Sequence, residues 1–178
     1  MPGIKSLGRL EKMVESLARE IAWGGTTTFK GQKRVTETLS TVGTVSAPTK
    51  TLTAADSGMT LFADISTVSI VVQLPTPVAG LHYKMILNAA SDNEGTKDLL
   101  VHTGSNAVNI GGNLMVAGAI VEVTDGTSAL GIDSSAGAAT MGDYLIFECD
   151  GTDWFVQGSV TTASAAVKHD NYDGITPA

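Results

Sequence analysis

The residues able to do chemistry are few in this chain of 178, and their spacing keeps them apart. The histidines are His82, His102 and His169. A metal site would need them to converge, with Asp98 as a further ligand, because an ion draws its ligands into direct contact. His82 and His102 fall on strand faces turned away from the core, so ordinary surface histidines are expected. The single cysteine, Cys149, excludes an internal disulfide framework. It shares a strand face with Leu145 and Phe147 and has no histidine near it in sequence, so it reads as a small core residue. Asp92, Glu94 and Asp98 suggest a cation loop, but their spacing is not that of an EF-hand. A surface loop between strands is the expectation there. Gly111-Gly112-Asn113 has neither the strand–helix context nor the Lys-Ser/Thr of a phosphate loop, and reads as a turn. No Ser-His-Asp set and no paired carboxylates stand out. The expectation is a protein without catalytic residues, metal or cofactor, and not an enzyme.

Charge says more. Residues 1–50 carry eight basic and four acidic groups, net +4, while residues 51–178 carry three lysines against fourteen acids, net −11. A basic arm on an acidic body suggests that the arm docks on something negative; solvated charge without a partner is the alternative. Lys30, Lys33 and Arg34 put three positive charges within five residues, beside Phe29, the one large anchor of that stretch. Without interleaved aromatics this is a weak nucleic-acid signature. Aromatics make up only 5% of the chain, which also argues against stacking platforms, so nucleic acid is not an expected partner. No segment is long and apolar enough to span a membrane. No apolar run of the signal-peptide kind heads the chain, and synthesis in a cytoplasm is the expectation.

The elements that would position these groups follow from periodicity. Hydrophobic residues at 43% and charged residues at 16% describe a globular chain with one sizeable core. Residues 1–23 read as an α-helix. Leu7, Leu10, Val14, Leu17 and Ile21 recur at spacings of three and four, a narrow a/d seam, and Gly24-Gly25 ends it. So short a helix is not stable alone, so it joins copies of itself, docks on a neighbour or packs on its own domain. Residues 24–50 read as an extended arm, rich in Thr and Val but poor in apolar mass, that should pair with a sheet edge, its own or a partner's.

Residues 51–160 read as one β module. Val68, Ile70, Val72 and Leu74 alternate with polar neighbours, Pro75 and Pro77 stop that strand, and Tyr83, Met85 and Leu87 resume the pattern. Those residues, with Val121, Val123, Leu145 and Phe147, form the predicted core. Tyr144–Cys149 and Trp154–Val160 flank the turn Asp150-Gly151-Thr152-Asp153, a hairpin signature. Residues 107–110 read as a short strand and Leu130–Thr140 as a long loop. The tail, 161–178, lacks periodicity and is expected to be flexible or laid over a neighbour. The fold class expected is all-β: an antiparallel β-sandwich or jelly-roll-like module preceded by an N-terminal α-helix and an extended arm.

Three pieces of the module carry a resemblance: Thr51-Leu52-Thr53-Ala54-Ala55-Asp56-Ser57-Gly58, Val72-Gln73-Leu74-Pro75-Thr76-Pro77-Val78-Ala79-Gly80-Leu81-His82-Tyr83, and Phe147-Glu148-Cys149-Asp150-Gly151-Thr152-Asp153-Trp154-Phe155-Val156. Together they resemble the β module of tailed-bacteriophage virion proteins of the head decoration (cement) and fibre types. The resemblance spans about residues 51–160 and leaves 1–50 uncovered. It implies a non-enzymatic viral structural protein, a homotrimer made in the host cytoplasm and placed on the virion. As a capsid decoration protein it would lie on the outer capsid surface and stabilise the lattice of its partner, the major capsid protein. As a fibre or receptor-binding module it would meet the host. A chain with no long shaft repeat favours decoration. In either case residues 1–50 are expected to attach it, with Leu7, Leu10, Val14, Leu17 and Ile21 as an oligomer or docking seam and Phe29, Lys30, Lys33 and Arg34 as the capsid-binding arm.

Overall fold

A strand with one wet face buries every second side chain, and a strand buried on both faces buries them all. Both kinds occur here. The computed structural model describes residues 36–89, 97–124, 126–133, 139–161 and 167–170. The expected N-terminal helix therefore lies outside the described residues.

The described chain forms β1 (Thr36–Leu39), β2 (Lys50–Thr51), β3 (Thr60–Asp64), β4 (Ile70–Gln73), β5 (His82–Ala89) and β6 (Asp98–His102). It continues with β7 (Ile110–Val116), β8 (Ala119–Val123), β9 (Ala129–Asp133), β10 (Tyr144–Cys149), β11 (Trp154–Val160) and β12 (Val167–Asp170). Seven strands form a large sheet in the order β1-β3-β5-β10-β11-β7-β8, and five form a small one in the order β12-β9-β6-β4-β2.

The all-β expectation holds at this level, but the sheets are mixed, which corrects the purely antiparallel one. From β1 to β6 the chain enters the two sheets alternately. Each strand's sheet neighbour is thus the strand before last, reached by a crossover and running the same way. Accordingly β1–β3, β3–β5, β2–β4 and β4–β6 are parallel. After β6, β7–β8 and β10–β11 are antiparallel hairpins, although β11 lies parallel to β7. Alternation of side chains is the same in either direction, so it could not announce this.

One core joins the two sheets. Leu61, Tyr83, Met85, Leu87, Leu145, Phe147, Trp154 and Val156 from the large sheet meet Ile70, Val72, Leu99, Val101, Leu130 and Ile132 from the small one. Each such side chain contributes roughly 1.5–3 kcal/mol by leaving water. Of the predicted core, Val68 and Val121 are half-buried against this cluster and the rest are buried.

The small sheet is also covered on its other face. Val71, Leu100 and Ala129 are buried there, with Val45 packed on them. The segment carrying Val45 is tied down by Gly43 N–H donating to Ser69 O and by Val71 N–H donating to Thr49 Oγ1. Two-sided burial explains the unbroken runs Ile70-Val71-Val72 and Leu99-Leu100-Val101.

Several local expectations are revised. Gly111-Gly112-Asn113 is not a turn but the interior of β7, paired with β11 and β8, and position 112 is glycine because a Cβ there would collide with the Val156 carbonyl across the ladder. Only Ile110 of residues 107–110 is strand; the stretch before it turns around the Thr103 hydroxyl, which donates to Ser105 O. Ala129–Asp133 is a strand rather than part of a loop, sandwiched between β6 and β12. In the tail, Val167–Asp170 adds to the chain's own small sheet. In the stretch read as the arm, Thr36–Leu39 and Lys50–Thr51 pair with the chain's own sheets, Leu39 is buried, and Lys50 bonds Glu37 at 2.7 Å.

Candidate functional site

The residues expected to act in oligomerisation or docking, Leu7, Leu10, Val14, Leu17 and Ile21, and those of the capsid-binding arm, Phe29, Lys30, Lys33 and Arg34, all lie outside the described residues. Two regions of the described chain gather side chains that could serve a function.

The first gathers the three resemblance-bearing pieces at one place. Leu52 N–H donates to Gln73 O, Gly58 N–H to His82 O, and His82 N–H to Ser57 Oγ. Gly80 N–H donates to Cys149 O, and Cys149 N–H returns to Leu81 O. Tyr83 lies 5.7 Å from Trp154, ring to ring, tilted by 43°. Its hydroxyl donates to Thr53 O at 2.8 Å. Burial, and secondarily the Asp56 carboxylate, push the Tyr83 hydroxyl up to about 12, so it stays a donor. Asp56 in turn accepts from Thr53 N–H and Thr53 Oγ1, and the latter bond above all holds it below the usual carboxylate range. Polar groups here are consumed by packing. Trp154 Nε1 meets no acceptor among the described residues, which fits a ring placed for its area.

His82 and His102 do not converge. His82 is exposed on the large sheet. His102 is fully buried in the small one, which corrects its assignment to the surface, and burial lowers its pKa to about 4. Cys149 is buried, its sulfur accepting from Gly151 N–H. Among the described residues no three His, Cys, Asp or Glu side chains gather as a metal site.

The second region is the outer face of the large sheet. Strand register aligns Phe62, Ile86, Tyr144, Ser159, Met115 and Ile120 in one row across six strands. At the β8 end this row is wet: Met115 is 52% and Ile120 78% exposed, and Phe155, on the same face two rows away beyond Gln157, is 47% exposed. Toward β5 it is closed by Lys84, whose ammonium sits 5.1 Å from the Tyr144 ring centre. Between them lies an open depression of about 520 Å³, lined by Asn113, Met115, Ile120, Tyr144, Phe155 and Gln157. Gly158 lies in its wall because a side chain there would meet the Tyr144 carbonyl. The lining holds amides, apolar groups and a phenol, which suits it to contact rather than to bond-making. Alternation places Met115 and Ile120 on strands but does not say which face is wet, so the sequence did not single them out. No family model, no curated protein and no solved structure matches the chain.

Proposed function

We propose that this protein is a structural component of a tailed-bacteriophage virion, a homotrimeric decoration protein bound to the major capsid lattice and without enzymatic activity. The observation that carries the reading is the convergence just described. The three segments that resemble virion β modules are scattered over a hundred residues of sequence, yet they hydrogen-bond and stack as one unit. That supports a resemblance of one module rather than of three unrelated stretches. Within residues 1–50 attachment falls mainly to what precedes Thr36, because Thr36–Leu39 and Lys50 already pair with the module's own sheets.

The test uses the full-length chain on particles lacking it. Lys30→Glu, Lys33→Glu and Arg34→Glu together should weaken binding by about tenfold or more and flatten its salt dependence. Unchanged binding would remove the arm from the mechanism. Counting copies per particle separates the two placements: hundreds support decoration, whereas a few dozen or fewer support a fibre, collar or baseplate.

A further inference from the structure

We propose that the β7–β8 hairpin is the contact through which a second copy of this chain docks, with the β8 edge taking a strand from that copy. The proposal concerns the assembly part of the reading above and rests on it: β8 paired with the copy's own β8 is a two-fold contact between copies, distinct from the three-fold contact of a trimer. Residues 114–121 run Leu-Met-Val-Ala-Gly-Ala-Ile-Val, with no polar side chain. One face of the hairpin they form puts Leu114 and Val116 into the core, while on its other face and tip Met115, Ala117, Ala119 and Ile120 are exposed.

Edges of sheets are templates for further strands, and natural chains blunt them with lysines, prolines, bulges or brevity. The other edges here are blunted. On the large sheet β1 presents Thr36, Glu37 and Thr38, with Glu37 held by Lys50, and on the small sheet β2 is two residues long and β12 carries Lys168. By contrast β8 has no proline, lysine or register shift, and among the described residues no strand pairs with its outer edge. Its exposed large apolar side chain is Ile120, next to Met115 at one end of the depression that Phe155 also lines, which has room for a partner's apolar side chain.

Charge selects the partner. Residues 51–178 carry net −11, so a basic partner would be drawn to the carboxylates that cover the module. The β7–β8 hairpin offers one, Glu122, and the next, Glu148, lies across from Phe155 at the far end of the depression. A second, equally acidic copy can approach closely only through neutral surface, and this is such a surface.

The purified full-length chain tests it without particles. Sedimentation velocity should show an oligomer, and the Ala119–Val123 amides should gain protection from hydrogen exchange as concentration rises from about 1 to 100 µM. Ile120→Lys restores the usual edge device at a residue outside the core. It should weaken association about tenfold or more while leaving thermal unfolding unchanged at concentrations where both chains are dissociated. An oligomer unaltered by Met115→Lys with Ile120→Lys, or β8 amides whose exchange ignores concentration in the wild type, would overturn the proposal. Particle binding by a chain that passes neither test would leave the virion reading standing. Association through β8 without particle binding would do the reverse.

Discussion

Between Thr36 and His102 the chain crosses from one sheet to the other after every strand, whereas between Ile110 and Val160 it mostly turns back on itself. The two halves fill one core by different means. In the winding half every ladder contact joins strands about twenty residues apart or more, so none is specified locally. In the hairpin half the turns do the specifying. Asp150 Oδ1 accepts from Thr152 and Asp153 N–H, and Gly151 takes φ 109°, so the chain reverses on its own chemistry. The strands of the winding half are covered, even on the far side of the small sheet, and its exposed apolar residues Val42 and Val78 lie between strands, while the hairpin half leaves the strand residues Met115, Ile120 and Phe155 in water. The motif-rich segments build the fold, and the motif-poor hairpin offers the surface.

Trp154 joins the halves, since β11 carries it onto Tyr83 of β5. Trp154→Ala should cost about 3–5 kcal/mol in urea unfolding, with one transition retained. Two separable transitions in the wild type would break the comparison, because they would make the halves independent.

A slightly smaller effect reports on the winding half alone. His102 stays neutral in the folded chain down to about pH 4, while the unfolded chain takes up the proton near pH 6.5. In that window the unfolded state binds more protons, so stability falls as pH falls, by about 3 kcal/mol between pH 7 and pH 4. His102→Leu should remove that slope from the pH dependence of urea midpoints. An unchanged slope would assign the acid sensitivity to other groups.

The smallest effect sharpens the hairpin half. Ala117 has φ 50° and Gly118 φ 82°, a two-residue reversal that favours Asn-Gly. Ala117→Asn should raise stability by roughly 0.5–1 kcal/mol, read as a higher thermal midpoint. A lower midpoint would show that the tip is held by something other than its own backbone preference.

What the sequence made legible follows the same division. The β10–β11 hairpin was readable to the residue because its turn is local. The core positions were readable because burial imposes a period of two. Strand direction was not, since a crossover and a hairpin leave the same alternation. Strand β9 was missed because Ala129, Gly131 and Asp133 look like loop residues until β6 and β12 flank them. His102 was misplaced because the alternation rule assumed one wet face, and the apolar run Leu99-Leu100-Val101 beside it was the available sign of two dry ones. The exposed row on the large sheet carries no motif. Only the register, which brings Met115 beside both Ser159 and Ile120, assembles it.

The order β5-β10-β11-β7 has a consequence for how the protein is made. The last hairpin to leave the ribosome is inserted between two strands synthesised long before it. The facing edge of β5 has no native partner until Tyr144–Cys149 has emerged, and that of β7 none until Trp154–Val160 has. The sheet therefore closes only after translation of the module is complete. A chain stopped short of Trp154 is an open template rather than a smaller protein.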